Sequence, residues 1–178
     1  MADTLEPRRH SLRLRGFDYS QSENYFITIC AHDRKLMFGA IAGGKMILNS
    51  AGEAVRAAWF GLPRRFPSVV LREFIVMPNH LHAILGLTQP IRAIARGAAS
   101  SAPTAGRPGV PYPALGKIIR AFKSLSAIQV NRALGQAGRS VWQRNYYERV
   151  IRPGKEYGQI RKYMLENPLR WDEDPENI

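Results

Sequence analysis

The pattern of apolar and polar positions divides the chain into short strands and longer helices. Runs of β-branched and aromatic residues bounded by turn-forming residues predict strands. Apolar residues at spacings of three and four predict helices. The predicted strands are 24–31, 39–48 folded as a hairpin at Gly43-Gly44, 68–77, 80–87 and 141–151. The predicted helices are 51–62, one that begins at Leu115, and 155–167.

Capping and breaking residues set the expected ends of these elements. Asn49 or Ser50 can cap the first helix, and Pro63 is expected to end it. Pro153-Gly154 separates the last strand from the closing helix, which Pro168 is expected to stop, because proline cannot continue a helix interior.

The order of the elements predicts the fold class. Without the small hairpin, the order is β-α-β-β-α-β with one extra helix at the end. This is the ferredoxin-like arrangement, an α+β fold with a mainly antiparallel sheet and helices on one face. A length of 178 residues suits one domain, taken as 1–178. Two segments stand apart: an Ala/Gly/Pro-rich insertion at 88–113, expected to be flexible, and an acidic tail at 172–178.

The charge balance points to a polyanionic partner. The chain holds 26 Lys+Arg against 14 Asp+Glu, a formal net charge of +12. A body this basic favours nucleic acid, although a solubility role gives the same balance. Lys117, Arg120 and Lys123 lie on the predicted solvent side of one helix. These three are candidate phosphate contacts, together with Arg144, Arg13 and Arg15. A solvated helix face and a solvated tail are the alternatives.

Cysteine content and hydropathy limit the cellular compartments in which the protein is expected. The single cysteine, Cys30, excludes an internal disulfide framework and fits a reducing compartment. The first 20 residues lack the apolar run of a signal peptide, and no apolar stretch approaches the length of a membrane span. The expected location is the cytoplasm, in association with the nucleoid and not with a membrane.

Two histidines one residue apart are the leading candidates for chemistry. His80 and His82 occupy one face of a predicted strand, because side chains alternate between faces. Such a pair is either a hydrogen-bonded strand end or part of a metal site. Structural zinc is disfavoured because no CxxC or HExxH spacing accompanies the single cysteine. A third ligand that is an amide or water suits Mg or Mn and phosphate chemistry.

The closing helix offers both an amide and a phenol. Tyr163 and Asn167 are four residues apart and project from nearly one side of that helix. Tyr163 lies at the margin of the apolar stripe, a position typical of a core-edge tyrosine with its hydroxyl in water. From spacing alone, this structural role is the simpler interpretation.

Three sequence blocks are more specific. MPNHLHAI, VWQRNYYERVIR and IRKYMLENPLRW resemble the REP-associated tyrosine transposases, which are IS200-like members of the HUH superfamily of single-tyrosine transposases. The resemblance spans about residues 17–171 and implies the HUH form of the ferredoxin-like fold. It implies that His80 and His82 bind a divalent metal, Mg or Mn, that Asn167 completes the site, and that Tyr163 is the nucleophile. Arg149 departs from the histidine expected there.

The resemblance also implies an activity. Such a protein cuts and rejoins single-stranded DNA at hairpin-forming palindromic repeats through a 5′-phosphotyrosine, with two protomers acting as a homodimer or with one site used sequentially. Tyr146 and Tyr147 offer competing phenols, of which one is expected to lie in the core. A non-catalytic nucleic-acid-binding module and a metal-dependent nuclease that uses water remain as alternatives.

Overall fold

This computed structural model describes residues 23–88, 115–152 and 154–177. Arg13, Arg15 and the predicted insertion beyond Thr88 lie outside these ranges. The strands are β1 (Glu23–Cys30), β2 (Gly39–Ala42), β3 (Lys45–Leu48), β4 (Val69–Val76), β5 (His80–Leu87) and β6 (Tyr147–Ile151). The helices are α1 (Ser50–Phe60), α2 (Leu62–Arg65), α3 (Leu115–Ala133) and α4 (Lys155–Glu166). No helix in the described ranges is both long and apolar enough to cross a membrane.

The main sheet confirms the predicted fold class. Its strand order is β4-β5-β1-β6, and each neighbouring pair is antiparallel. This is the ferredoxin-like order, with β1 and β5 in the centre and β6 at one edge. The predicted small hairpin forms a separate sheet of β2 and β3, and Gly43 and Gly44 adopt φ values of 56° and 70° at its turn. Positive φ favours glycine, which is why this turn forms here.

The two faces of the main sheet have different environments. On one face, here called the core face, alternate residues such as Ile27, Ile29 and Leu81 pack beneath α1 and α3. Trp59 of α1 and Phe122 of α3 meet there edge to face, with ring centroids 5.1 Å apart. The opposite face carries His80 and His82 and is here called the histidine face.

The histidine face is covered by the extra C-terminal helix. Its apolar cluster is small: Met164 of α4 is buried against Ile84 of β5 and Ile151 of β6. Polar contacts add to this packing. Glu73 of β4 accepts hydrogen bonds from Tyr157 and Arg161 of α4, both of which anchor the helix to this edge strand.

Proline positions account for two differences from the predicted helix ends. Asn49 caps α1 as predicted, since its side chain accepts a hydrogen bond from the Gly52 amide. The helix nevertheless ends at Phe60, and Pro63 lies in the first turn of α2 instead of ending α1. Likewise α4 ends at Glu166, and Pro168 lies in the first turn of a 3-10 segment, Asn167–Glu173. Proline fits both places because the first turn of a helix does not use its N–H groups.

The last strand is shorter than predicted. Only Tyr147–Ile151 pairs with β1 as a strand, and Trp142 forms an isolated bridge to Ala31. Between these two pairings, the Lys123 ammonium donates hydrogen bonds to the carbonyls of residues 143, 144 and 145. Carbonyls directed at a lysine cannot join a β-ladder, so the strand begins only after them.

Candidate active site

The two predicted histidines share one buried space on the histidine face. His80 and His82 are 0% and 2% exposed, and their Nε2 atoms lie 3.0 Å apart. The strand register places them opposite Cys30 and Thr28 of β1. The alternation of side chains along β5 therefore brings the pair together as predicted.

Hydrogen bonds to the far ring nitrogens orient both imidazoles. Asn79 Nδ2 donates to the carbonyl of Glu176 at 2.7 Å, so Asn79 Oδ1 is free to accept from His80 Nδ1 at 2.8 Å. A neutral imidazole has one N–H, and His80 Nε2 therefore presents a lone pair. His82 Nδ1 lies 2.8 Å from Thr28 Oγ1, a hydroxyl that can accept its proton. Both Nε2 lone pairs can then point at one metal ion.

Burial keeps both imidazoles neutral. It lowers the pKa of His80 to about 4, against the opposing charges of Asp174 and Glu176. Burial, together with the neighbouring His80, lowers the pKa of His82 well below its ordinary value. Neutral imidazole is the form that ligates metals, so the pair is in its metal-binding state at neutral pH.

The predicted nucleophile lies directly above this pair. The Tyr163 hydroxyl is 3.3 Å from His82 Nε2, and its ring meets the His82 ring edge to face. The side chain is 43% exposed, which leaves the hydroxyl accessible beside buried ligands. Burial, then the charges of Asp174 and Glu176, raise the pKa of Tyr163 to about 12, although a hydrogen bond from Asn167 opposes the shift.

Two buried oxygens complete the space. Asn167 is 3% exposed and Asp174 is 7% exposed. Within the described residues, Asn167 Oδ1 and Asp174 Oδ2 have no hydrogen-bond partner. Buried polar atoms without partners are costly, and a cation bound beside the two imidazole lone pairs would satisfy such oxygens. His80, His82 and Asp174 each direct a ligand atom into this space, all within 4.8 Å of one another, so this group could bind a metal.

The segment after α4 supplies residues that sequence reasoning missed. Asp174 belongs to the segment that the sequence predicts to be an acidic tail. The 3-10 segment before it instead brings Asp174 back to the histidine face. The Trp171 ring stacks on His80, with centroids 6.0 Å apart. Arg34 pairs with the Glu176 carboxylate, and Asn79 binds its carbonyl. An acidic cluster at the end of a basic chain is the one signal that could have drawn attention to this segment.

The predicted phosphate contacts lie in several places. Lys117 and Arg120 are exposed on α3, beyond the core face, and Arg144 is exposed before β6. The structure therefore does not bring α3 to the histidines. Lys123 is not on the solvent side as predicted, because it is half-buried and its ammonium donates to backbone carbonyls. Burial also lowers the pKa of Lys123.

The two competing tyrosines face opposite ways, as predicted. Tyr146 is half-buried, packs against the main core, and donates its hydroxyl hydrogen to Glu148. Tyr147 is 49% exposed on the histidine face, and its ring contacts Phe26. The Tyr163 hydroxyl, by contrast, lies 3.3 Å from His82 Nε2.

Comparison with solved structures places the fold among transposases. The structure of a REP-associated tyrosine transposase bound to a REP hairpin gives a TM-score of 0.53 at 19% identity, over 84% of this chain and 68% of that one. A candidate transposase of Deinococcus radiodurans R1 gives 0.51 at 18% identity, over 86% of this chain and 96% of that one. The chain therefore shares the fold of these two transposases, as the sequence motifs predicted.

A sequence relative defines the family more narrowly. The chain is 36% identical over 172 residues to an uncharacterized protein of Haemophilus influenzae (strain ATCC 51907 / DSM 11121 / KW20 / Rd). The match covers 93% of this chain and 91% of that protein. The chain therefore belongs to the same family as the Haemophilus protein. No family model matches the chain.

Proposed function

We propose that the chain is a metal-dependent transposase that cuts and rejoins single-stranded DNA at hairpin-forming palindromic repeats. One observation carries this proposal. The Tyr163 hydroxyl lies beside His82 Nε2, which in turn lies beside His80 Nε2, and both nitrogens can ligate a metal ion. A fold shared with a transposase that was solved on a REP hairpin supports the choice of substrate. Lys117, Arg120 and Arg144 are proposed phosphate contacts.

The proposed reaction is a phosphoryl transfer to tyrosine. Tyr163 Oη forms a bond to the scissile phosphorus, the bond from phosphorus to the 3′-oxygen breaks, and the phenolic proton ends on that oxygen. The DNA then remains joined to the protein through a 5′-phosphotyrosine. Because the bond energy is kept, another 3′-hydroxyl can displace the tyrosine and reseal the strand.

The residues around Tyr163 prepare this step. His80, His82, Asp174 and the Asn167 amide oxygen would hold the ion, which supplies positive charge that polarises the phosphate. Two imidazole nitrogens with oxygen ligands suit Mn²⁺ better than Mg²⁺, which prefers oxygen ligands alone. The carboxylates that raise the Tyr163 pKa lie where a cation would offset them. Burial of the imidazoles excludes competing water from the ligands.

A covalent-adduct assay tests the proposal. The protein is incubated with Mn²⁺ or Mg²⁺ and a single strand that forms a palindromic hairpin, labelled 3′ of the cut. We expect label to stay on the wild-type protein through denaturing electrophoresis, and proteolysis to map it to the peptide that holds Tyr163. Tyr163→Phe should form no adduct, while the free energy of unfolding changes by no more than about 1 kcal/mol, the usual net worth of one hydrogen bond.

Tyr147→Phe is the matched control, since it removes a phenol from the same sheet face and should leave the adduct intact. Label that maps to Tyr146 or Tyr147 would show that Tyr163 is not the nucleophile. Cleavage without any adduct would instead support a nuclease that activates water. Binding with neither cleavage nor adduct would favour the non-catalytic binding module.

A further inference from the structure

An exposed aromatic ring lies in the same row of the sheet as the candidate metal ligands. Thr28 of β1 is the register partner of His82 on one side and of Tyr147 on the other. Partners in a register point to the same face, so Tyr147 shares the histidine face. With strands about 4.8 Å apart, the Cα atoms of His82 and Tyr147 are separated by about 10 Å. That separation is short enough for one DNA strand to contact both side chains.

Phe26 connects this ring to the site. Its ring stacks on His82 at 5.3 Å between centroids and meets both Tyr163 and Tyr147 edge to face at 6.3 Å. Tyr147 is thus one ring away from both the proposed nucleophile and a proposed metal ligand. Its side chain remains 49% exposed, whereas Phe26 is largely covered.

The backbone that presents Tyr147 is fixed on both sides. Before it, the Lys123 ammonium holds the carbonyls of residues 143–145. After it, Arg149 on the same face pairs with Glu156 of α4, and Ile151 is buried beneath that helix. Tyr147 lies at the end of β6 that these α4 contacts do not reach. An exposed aromatic ring on a fixed backbone is a feature that proteins use to stack the bases of single-stranded DNA.

We propose that Tyr147 stacks on a nucleobase next to the scissile phosphate and so helps to place that phosphate against Tyr163. The partner is a base of the single-stranded DNA that the proposed function assumes, and the inference rests on that function. Stacking accepts any base, because every base has a π-face, so Tyr147 fixes position and not sequence. Arg144, exposed three residues earlier in the chain, is the nearest candidate in sequence for a contact to the neighbouring phosphate.

A purely structural role makes a different prediction. Phe26 and Tyr147 are neighbours across two strands, and such aromatic pairs stabilise a sheet by up to about 1 kcal/mol. If that were the whole role, replacing Tyr147 would lower stability and leave the response of DNA binding to missing bases unchanged. A matched pair of variants separates the two roles: Tyr147→Phe keeps the ring, and Tyr147→Val keeps strand propensity without it.

The experiment is an abasic scan. The probe is a DNA hairpin with a thymidine flank on each side, in which each flanking thymidine is replaced in turn by an abasic residue. Dissociation constants are measured by fluorescence anisotropy at one salt concentration, with chelator present so that no cleavage occurs. We expect one or two abasic positions to weaken wild-type binding about tenfold, a typical loss for one stacked base. Tyr147→Phe should keep this penalty, and Tyr147→Val should lose it.

The outcomes separate this inference from the proposed function. The same abasic penalties at every position in wild type and Tyr147→Val would overturn the stacking role. A wild-type protein that binds no probe would overturn both the stacking role and the proposed function. A stacking penalty that depends on Tyr147, in a protein that forms no covalent adduct, would confirm the stacking role and leave a binding module in place of a transposase.

Discussion

The two faces of the main sheet use the same strands for different purposes. On the core face, Tyr25, Ile27 and Ile29 of β1 pack beneath two helices in a continuous apolar core. On the histidine face, the alternate residues Phe26 and Thr28 contact His82 instead. The buried apolar cluster there contains only three side chains within the described residues.

This difference shows how a small domain can carry polar chemistry. Burial of two imidazoles, an amide and a carboxylate costs free energy wherever hydrogen bonds are incomplete. The core face supplies the burial that offsets this cost, while the antiparallel pairing of β1 and β5 holds both faces in register. Substitutions on the core face should therefore change stability first, and substitutions on the histidine face should change activity first.

The largest expected effect is loss of activity on the histidine face. His80→Gln and His82→Gln each remove one metal-ligating nitrogen from a side chain of similar size. Because the ion is expected to contribute several kcal/mol to phosphate activation, cleavage of the hairpin strand should fall at least about 100-fold. Calorimetric titration with Mn²⁺ should show loss of binding in parallel. Full cleavage by the double variant in the presence of chelator would contradict the metal assignment.

Two truncations of buried side chains, one on each face of the sheet, test the expected difference in stability. Phe122→Ala on the core face should lower the free energy of unfolding by about 3–5 kcal/mol, the usual range for a buried aromatic side chain. Met164→Ala on the buried side of α4 should cost about 2 kcal/mol, near the lower end of the range for Met, because its cluster is small. Urea unfolding followed by circular dichroism measures both.

The adduct yields of the same two variants provide a second comparison of the two faces. Under native conditions, folded Phe122→Ala should keep its adduct yield per folded molecule, since Phe122 is on the face away from Tyr163. Met164→Ala should lose more, because Met164 follows Tyr163 on α4 and is the buried residue that packs this helix against the sheet. Equal loss of adduct yield in the two variants would show that the faces are not independent.

Local geometry within a strand or helix can be predicted from this sequence. Contacts made by a segment that folds back from a distant part of the chain cannot. Period-two alternation is a property of any strand, so the shared face of His80 and His82 could be predicted from spacing. Tyr163 and Asn167 are four residues apart, so helical geometry likewise predicts that they project from nearly one side of the closing helix. Asp174 could not be placed this way, because its position depends on a 3-10 segment that folds back over β5. The late start of β6 also depends on a distant side chain, Lys123.

A smaller effect is expected from pH. Unfolded histidine takes up a proton near its ordinary pKa of 6.5, whereas burial lowers the pKa of folded His80 to about 4. Between these values the unfolded state binds more protons, so the free energy of unfolding falls as pH drops. From pH 7 to pH 5, His80 should account for about 2 kcal/mol of this fall.

The measurement compares urea unfolding of metal-free wild type and His80→Gln at both pH values. The variant should show the smaller fall, since glutamine does not titrate, and the difference isolates His80 from carboxylates such as Glu73 that also lose stabilising contacts in acid. An equal fall in both proteins would mean that His80 is already solvated or protonated in the folded state.

The smallest expected effects are those of single surface cations on DNA binding. Arg144→Gln, Lys117→Gln and Arg120→Gln should each reduce the slope of log K against log salt concentration by about 0.7 to 0.9 if the residue contacts one phosphate.

Arg56→Gln is the control, because that guanidinium already pairs with Glu53 on α1. Lys123→Gln should lower stability and leave the slope unchanged, since its ammonium is bonded to backbone carbonyls. A slope that falls for Arg144 but not for Lys117 or Arg120 would show that the predicted α3 contact is wrong. A fall in all three would require DNA to reach around the edge of the sheet to the helices of the core face.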